Sequence, residues 1–129
     1  MPTPADLWAF LPLGFALSVL LELPVLLVGL SRRHSLSRRL LAAVWLTACT
    51  YPIVVLVLPL VLRPALSYAG YVAVAEVFAP LAECALFWWA FLRHEPMTSR
   101  VEFAQDMAAI VVANLASWLI GAWILSAIY

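Results

Sequence analysis

Four apolar runs, about 8–30, 40–62, 68–92 and 107–129, divide the chain almost completely between them. Each is close to the ~20 residues that a helix needs to cross the hydrocarbon of a bilayer. A transmembrane strand would be about ten residues long with alternating polarity, whereas these runs are continuous, so helices are the consistent reading. The expected fold is all-α: an integral membrane four-helix bundle, one transmembrane domain over 1–129. Composition agrees, with 129 residues, 67% of them apolar, 11% charged, and a mean hydropathy of +1.06. A soluble domain lies nearer 45–50% apolar and 25% charged. Little chain is left for an extramembrane domain. Nucleic-acid binding is disfavoured too, because the chain has no lysine and its seven arginines are balanced by seven acids.

The arginines set the expected topology. Arg32, Arg33, Arg38 and Arg39 fall between runs one and two, Arg93 and Arg100 between three and four, and Arg63 alone on the opposite side. Cytoplasmic loops carry the excess of positive charge, so both termini are expected outside the cytoplasm of a bacterial inner membrane. Met1 to Trp8 hold Asp6 and no basic residue, unlike a secretory leader, so the first helix is expected to be retained. Trp8, Tyr68, Tyr71 and Tyr129 are placed at the outer interface, and Trp45, Trp88 and Trp89 toward the inner one. The stretch Ser31 to Arg39 reads first as a topology determinant and second as a lipid-headgroup or phosphoregulated site.

Three acids lie inside the apolar runs: Glu22, Glu76 and Glu83. No arginine sits at comparable depth. An ionised carboxylate at the bilayer centre costs about 2.5–3.5 kcal/mol. The three must therefore be protonated, share protons, or hold a cation. A rise of about 1.5 Å per residue puts Glu22, Glu83 and Asn114 in one layer about 5 Å to the basic side of the midplane, with Tyr51 near the midplane. Glu76, seven residues before Glu83, shares its helix face about two turns away. Asp106 and Glu102, at the end of the fourth run, are expected to be solvated.

Prolines accompany these groups. Pro24, Pro52 and Pro80 are expected to kink their helices and to free the carbonyls of Leu20, Ala48 and Glu76. Carboxylates, carbonyls and the Asn114 amide together resemble an oxygen-rich site for a proton or a hard cation. Ser117 and Gly121 continue the Asn114 stripe as a helix-packing face. Cys49 and Cys84 form no CxxC pair, and His34 and His94 show no ligand spacing, so no particular metal or cofactor is indicated.

The motifs Glu22-Leu-Pro24, Thr50-Tyr-Pro52, Glu76 with Glu83, and Ala113-Asn-Leu-Ala-Ser117 resemble those of a group of small four-helix bacterial inner-membrane proteins. In that group the pattern reads E-x-P, T-H-P, two glutamates seven apart, and A-N-x-x-S. The resemblance covers nearly the whole chain and implies the layout, not an activity. Tyr51 stands where the pattern has histidine, which argues against an imidazole-dependent relay or transition-metal site.

Three functional classes follow. In the first, the glutamate cluster binds or translocates a proton or cation, in a homo-oligomer or with a larger partner, because four helices alone have little room for a path. The second is a non-catalytic accessory or assembly subunit of a larger membrane complex, suggested by small size. The third, an intramembrane enzyme with Glu76 and Glu83 as acid and base, is the least supported, since no nucleophile, metal motif or phosphate loop accompanies them.

Overall fold

A computed structural model describes residues 3–95 and 99–128. Four helices long and apolar enough to cross a membrane make up nearly all of it: α1 (Pro4–Gly29), α2 (Leu36–Leu62), α3 (Tyr68–Leu92) and α4 (Arg100–Ile128). No strand occurs among the described residues, and the chain is an all-α four-helix bundle. Its exterior is apolar: Val28, Val101 and Trp123 are 85%, 76% and 71% exposed, an arrangement suited to lipid and not to water. The protein is a small multi-pass membrane protein. Tyr129, expected at the outer interface, lies outside the described residues.

Three helices start earlier than the apolar runs suggest, because each opens on a polar cap that hydropathy does not register. The hydroxyls at positions 3, 35, 67 and 99, evenly spaced along the chain, each accept a hydrogen bond from the backbone N–H three residues on: Asp6 (3.2 Å), Arg38 (3.2 Å), Gly70 (3.1 Å) and Glu102 (3.1 Å). These bonds satisfy donors that a helix start otherwise leaves open. At Thr3 the cap is reciprocal, since Asp6 accepts from the Thr3 backbone N–H at 2.7 Å.

The helices run through Pro12, Pro24 and Pro80 without a break in helical structure. Beyond Pro52 the pattern changes, and α2 passes through a π turn at Ile53–Val57 before resuming as α-helix. There Leu58 N–H donates to the Ile53 carbonyl. The next donor in that register would belong to Pro59, which has none. Its acceptor, the Val54 carbonyl, instead receives the Tyr71 hydroxyl from α3 at 2.8 Å.

Packing is uneven along the bundle axis. The apolar core consists of Leu26, Leu30, Ala42, Ala43, Leu46, Phe87, Leu92, Ala109, Ile110 and Ala113. All ten lie in the half of the bundle nearest the Arg32–Arg39 connection, here called the basic end. Helix α1 packs chiefly on α4 and α2, and Gly29 permits a close approach: a methyl group there would stand 3.0 Å from Ala109 Cβ.

Candidate functional site

Where the apolar core stops, a polar layer begins. Glu22, Thr47, Thr50, Glu83 and Asn114 are all buried, contributed by the four helices together. The Glu83 carboxyl is held from two sides: Thr50 Oγ1 lies 2.7 Å from Oε1, and the Asn114 amide donates to Oε2 at 2.7 Å. Glu22 meets Thr47 Oγ1 at 3.0 Å.

Proton counting limits how these bonds can coexist. Each threonine hydroxyl has one proton, yet each faces two acceptors. Thr47 Oγ1 is 2.9 Å from the Ala43 carbonyl as well as near Glu22, and Thr50 Oγ1 is 3.0 Å from the Leu46 carbonyl as well as near Glu83. A protonated carboxyl would donate to the hydroxyl, which would donate onward to its own helix. An ionised carboxylate would draw the hydroxyl proton to itself. Both states are compatible with one heavy-atom arrangement. Asn114 needs no such choice, because its two amide protons serve Glu83 and the Ile110 carbonyl at 3.0 Å.

This layer is the floor of a cavity of about 420 Å³ that occupies the half of the bundle away from the basic end. Glu76, Tyr51, Ser117 and Gly121 line it along with Glu22, Glu83 and Asn114, so all five residues read from the sequence as proton- or ion-binding face one space. Glu76 stands apart from the other two acids: its carboxyl has no hydrogen-bond partner among the described residues. The Tyr51 hydroxyl presses against Gly14, where a Cβ would fall 1.7 Å from it. At Gly121, which is buried, the nearest atom to such a Cβ is Leu21 Cδ1 at 3.9 Å, an ordinary van der Waals contact with a side chain of α1. One chain therefore forms a cavity of this size by itself, open on one side and stopped at the floor, which is not a path through the bundle.

Thr47 and Thr50 carry no assigned role in the sequence reading. Their signal is the spacing with Tyr51, at three and four residues along one face of α2.

A second polar assembly closes the basic end, and here one expectation is overturned. Asp106 is not solvated but fully buried, because the connection after α1 folds across it. Ser31 N–H donates to Asp106 Oδ1 at 2.7 Å, and His34 Nε2 lies 2.8 Å from Oδ2. Arg38 Nη1 is 3.2 Å from His34 Nδ1. A guanidinium only donates, so Nδ1 is the acceptor and the ring proton sits on Nε2, directed at Asp106. His34 also packs edge-on against Phe87 at 5.2 Å between centroids.

The arginines there, read from the sequence as a topology signal, are tied into the structure. Arg38 donates to Glu95 at 2.5 Å, Arg33 pairs with Glu95 and with Glu102, and Arg39 donates to the carbonyls of Leu27, Ser31 and His34. The last three bonds serve acceptors at and beyond the end of α1. The Arg38 hydrogen bond, with the Arg38 and Arg33 charges, holds the Glu95 carboxyl below the usual carboxylate range despite some desolvation.

Cys49 and Cys84 are free and half-buried. No group of three His, Cys, Asp or Glu side chains converges as metal ligands among the described residues. Comparison with protein-family profiles, curated proteins and solved structures finds no match to this chain.

Proposed function

We propose that the protein binds a proton at the Glu22–Glu83 floor and uses it in moving a proton or cation across the membrane. The observation that carries this reading is the pairing of each floor carboxyl with a threonine hydroxyl that also faces a carbonyl of its own helix. Such a hydroxyl can turn between two acceptors, so the site accommodates gain or loss of a proton without repacking. Energetics point the same way. Hydrogen bonds between membrane helices average about 0.6 kcal/mol, so the two on Glu83 fall short of the ~2.5–3.5 kcal/mol cost of a buried charge.

The arginine bias supports a bacterial inner-membrane location with the basic end in the cytoplasm and both termini outside it. On that orientation the cavity faces the outer half of the membrane, and the apolar core with the His34–Asp106 assembly seals the inner half. A path sealed at one end requires rearrangement or a second surface, which favours a homo-oligomer or a larger membrane complex as the working form.

Infrared spectroscopy of the protein in lipid tests the reading, since protonated carboxyls absorb apart from carboxylates. Titration of an acid band, lost in Glu22→Gln or Glu83→Gln, is the expected result. Finding Glu22, Glu76 and Glu83 all ionised at neutral pH, with no acid band that these variants remove and no cation bound, overturns it.

A further inference from the structure

The floor accounts for two of the three acids but for little of the space. A cavity of about 420 Å³ lies in the range occupied by small organic ligands, about 300–1,000 Å³. A bare proton or a single dehydrated ion would leave most of it unfilled. Its walls above the floor include the aromatic residues Phe10, Tyr51 and Trp118 among aliphatic ones, with Tyr68 at the rim, where its ring already carries the Arg63 guanidinium at 5.6 Å. Among them stands the Glu76 carboxyl, half-buried and without a hydrogen-bond partner among the described residues. Aromatic faces attract cations, and the attraction strengthens where water is excluded. An acid with no protein partner at this depth needs either a proton or a counter-charge. Apolar volume, π faces and one unengaged carboxylate are together the recognition chemistry of a lipophilic organic cation.

We infer that the cavity binds a lipophilic organic cation, with its charge on Glu76 and its apolar body against Trp118 and Phe10. The inference rests on the proposed function, in which the same cavity leads to a proton-binding floor, and assigns the substrate class of that cavity. The ligand sits above the floor, so cation binding and floor protonation involve different carboxyls of one cavity.

The test is calorimetric titration of the full-length protein in nanodiscs with benzyltrimethylammonium, in parallel with its uncharged carbon isostere neopentylbenzene. Saturable binding of the cation alone is expected. Glu76→Gln should weaken it about tenfold, and Trp118→Leu by several-fold, as loss of a desolvated charge partner and of a cation–π face requires. The infrared acid band of the floor, recorded on the same samples, reports separately on Glu22 and Glu83. Equal affinity for the uncharged isostere overturns the inference, as does unchanged cation affinity in both variants. No cation binding alongside a normal floor titration overturns it too and leaves the proton site standing; cation binding without any floor titration does the reverse.

Discussion

The Tyr51 hydroxyl occupies the space where a side chain on Gly14 would begin. A Cβ there would lie 1.7 Å from the hydroxyl oxygen and 2.7 Å from Phe10. No glycine in the described chain has positive φ, so space alone explains the residue. Gly14→Ala should cost about 1–3 kcal/mol through overpacking. Tyr51→Phe removes the closest atom and should recover part of that loss, giving a positive coupling in a double-mutant cycle of detergent unfolding. Strictly additive effects would mean that α1 simply moves away from α2.

Asp106→Asn is nearly isosteric, yet it should destabilise the basic end by about 1–3 kcal/mol, the cost of an unsatisfied buried polar group. The amide can accept from Ser31 N–H through its oxygen, but its NH2 then meets the Nε2–H of His34. Tautomer exchange does not relieve the conflict, because Arg38 donates to Nδ1. Thermal unfolding in detergent checks this, and an unchanged midpoint would show that His34 and Asp106 are not coupled as described.

The contrast between the two polar assemblies shows what a sequence of this kind discloses. The layer of Glu22, Glu83 and Asn114 was legible because rise per residue is fixed within a helix, so depth follows from counting. Thr47 and Thr50 were not, since threonine in an apolar run commonly bonds its own helix and gives no sign of a second partner. At the basic end counting fails altogether. Whether Asp106 is wet depends on how residues 31–34 fold over it, and whether Arg38 finds Glu95 depends on two connections meeting in space. Hydropathy located the span of α4 but not its capped first turns, where Ser99, Glu102 and Asp106 are polar.

Glu95 makes the basic end sensitive to acid. Its carboxyl is held below the usual value by Arg38, so its unfolded value is the higher one. The stabilisation is therefore complete above the unfolded value and is lost as pH falls through the folded one. Since the side chain is 28% exposed, the effect should stay within the ~1 kcal/mol of a partly solvated pair. The thermal midpoint of Glu95→Gln should lie below that of wild type near neutral pH, and the two should converge in acid. A gap that persists unchanged into strong acid would assign the loss to packing instead.

The floor offers the sharpest separation of structure from function. In Glu83→Gln the amide oxygen can accept from Asn114 while the amide nitrogen donates to Thr50, whose proton then serves the Leu46 carbonyl. Every bond of the protonated acid is preserved, so folding and membrane abundance should match wild type. The same holds for Glu22→Gln beside Thr47. Thr50→Val, by contrast, removes a hydroxyl while keeping its shape and should cost about 0.6–1.7 kcal/mol, the range measured for hydrogen bonds between membrane helices. If the floor serves only to lock the bundle, the glutamine variants should behave as wild type in every assay, and only the valine variant should lose stability. If the floor exchanges a proton, Glu22→Gln or Glu83→Gln should abolish proton-dependent uptake or release of cation in proteoliposomes at unchanged thermal stability, because an amide cannot give its proton up. Retention of full transport by both glutamine variants would reduce the cluster to a packing device.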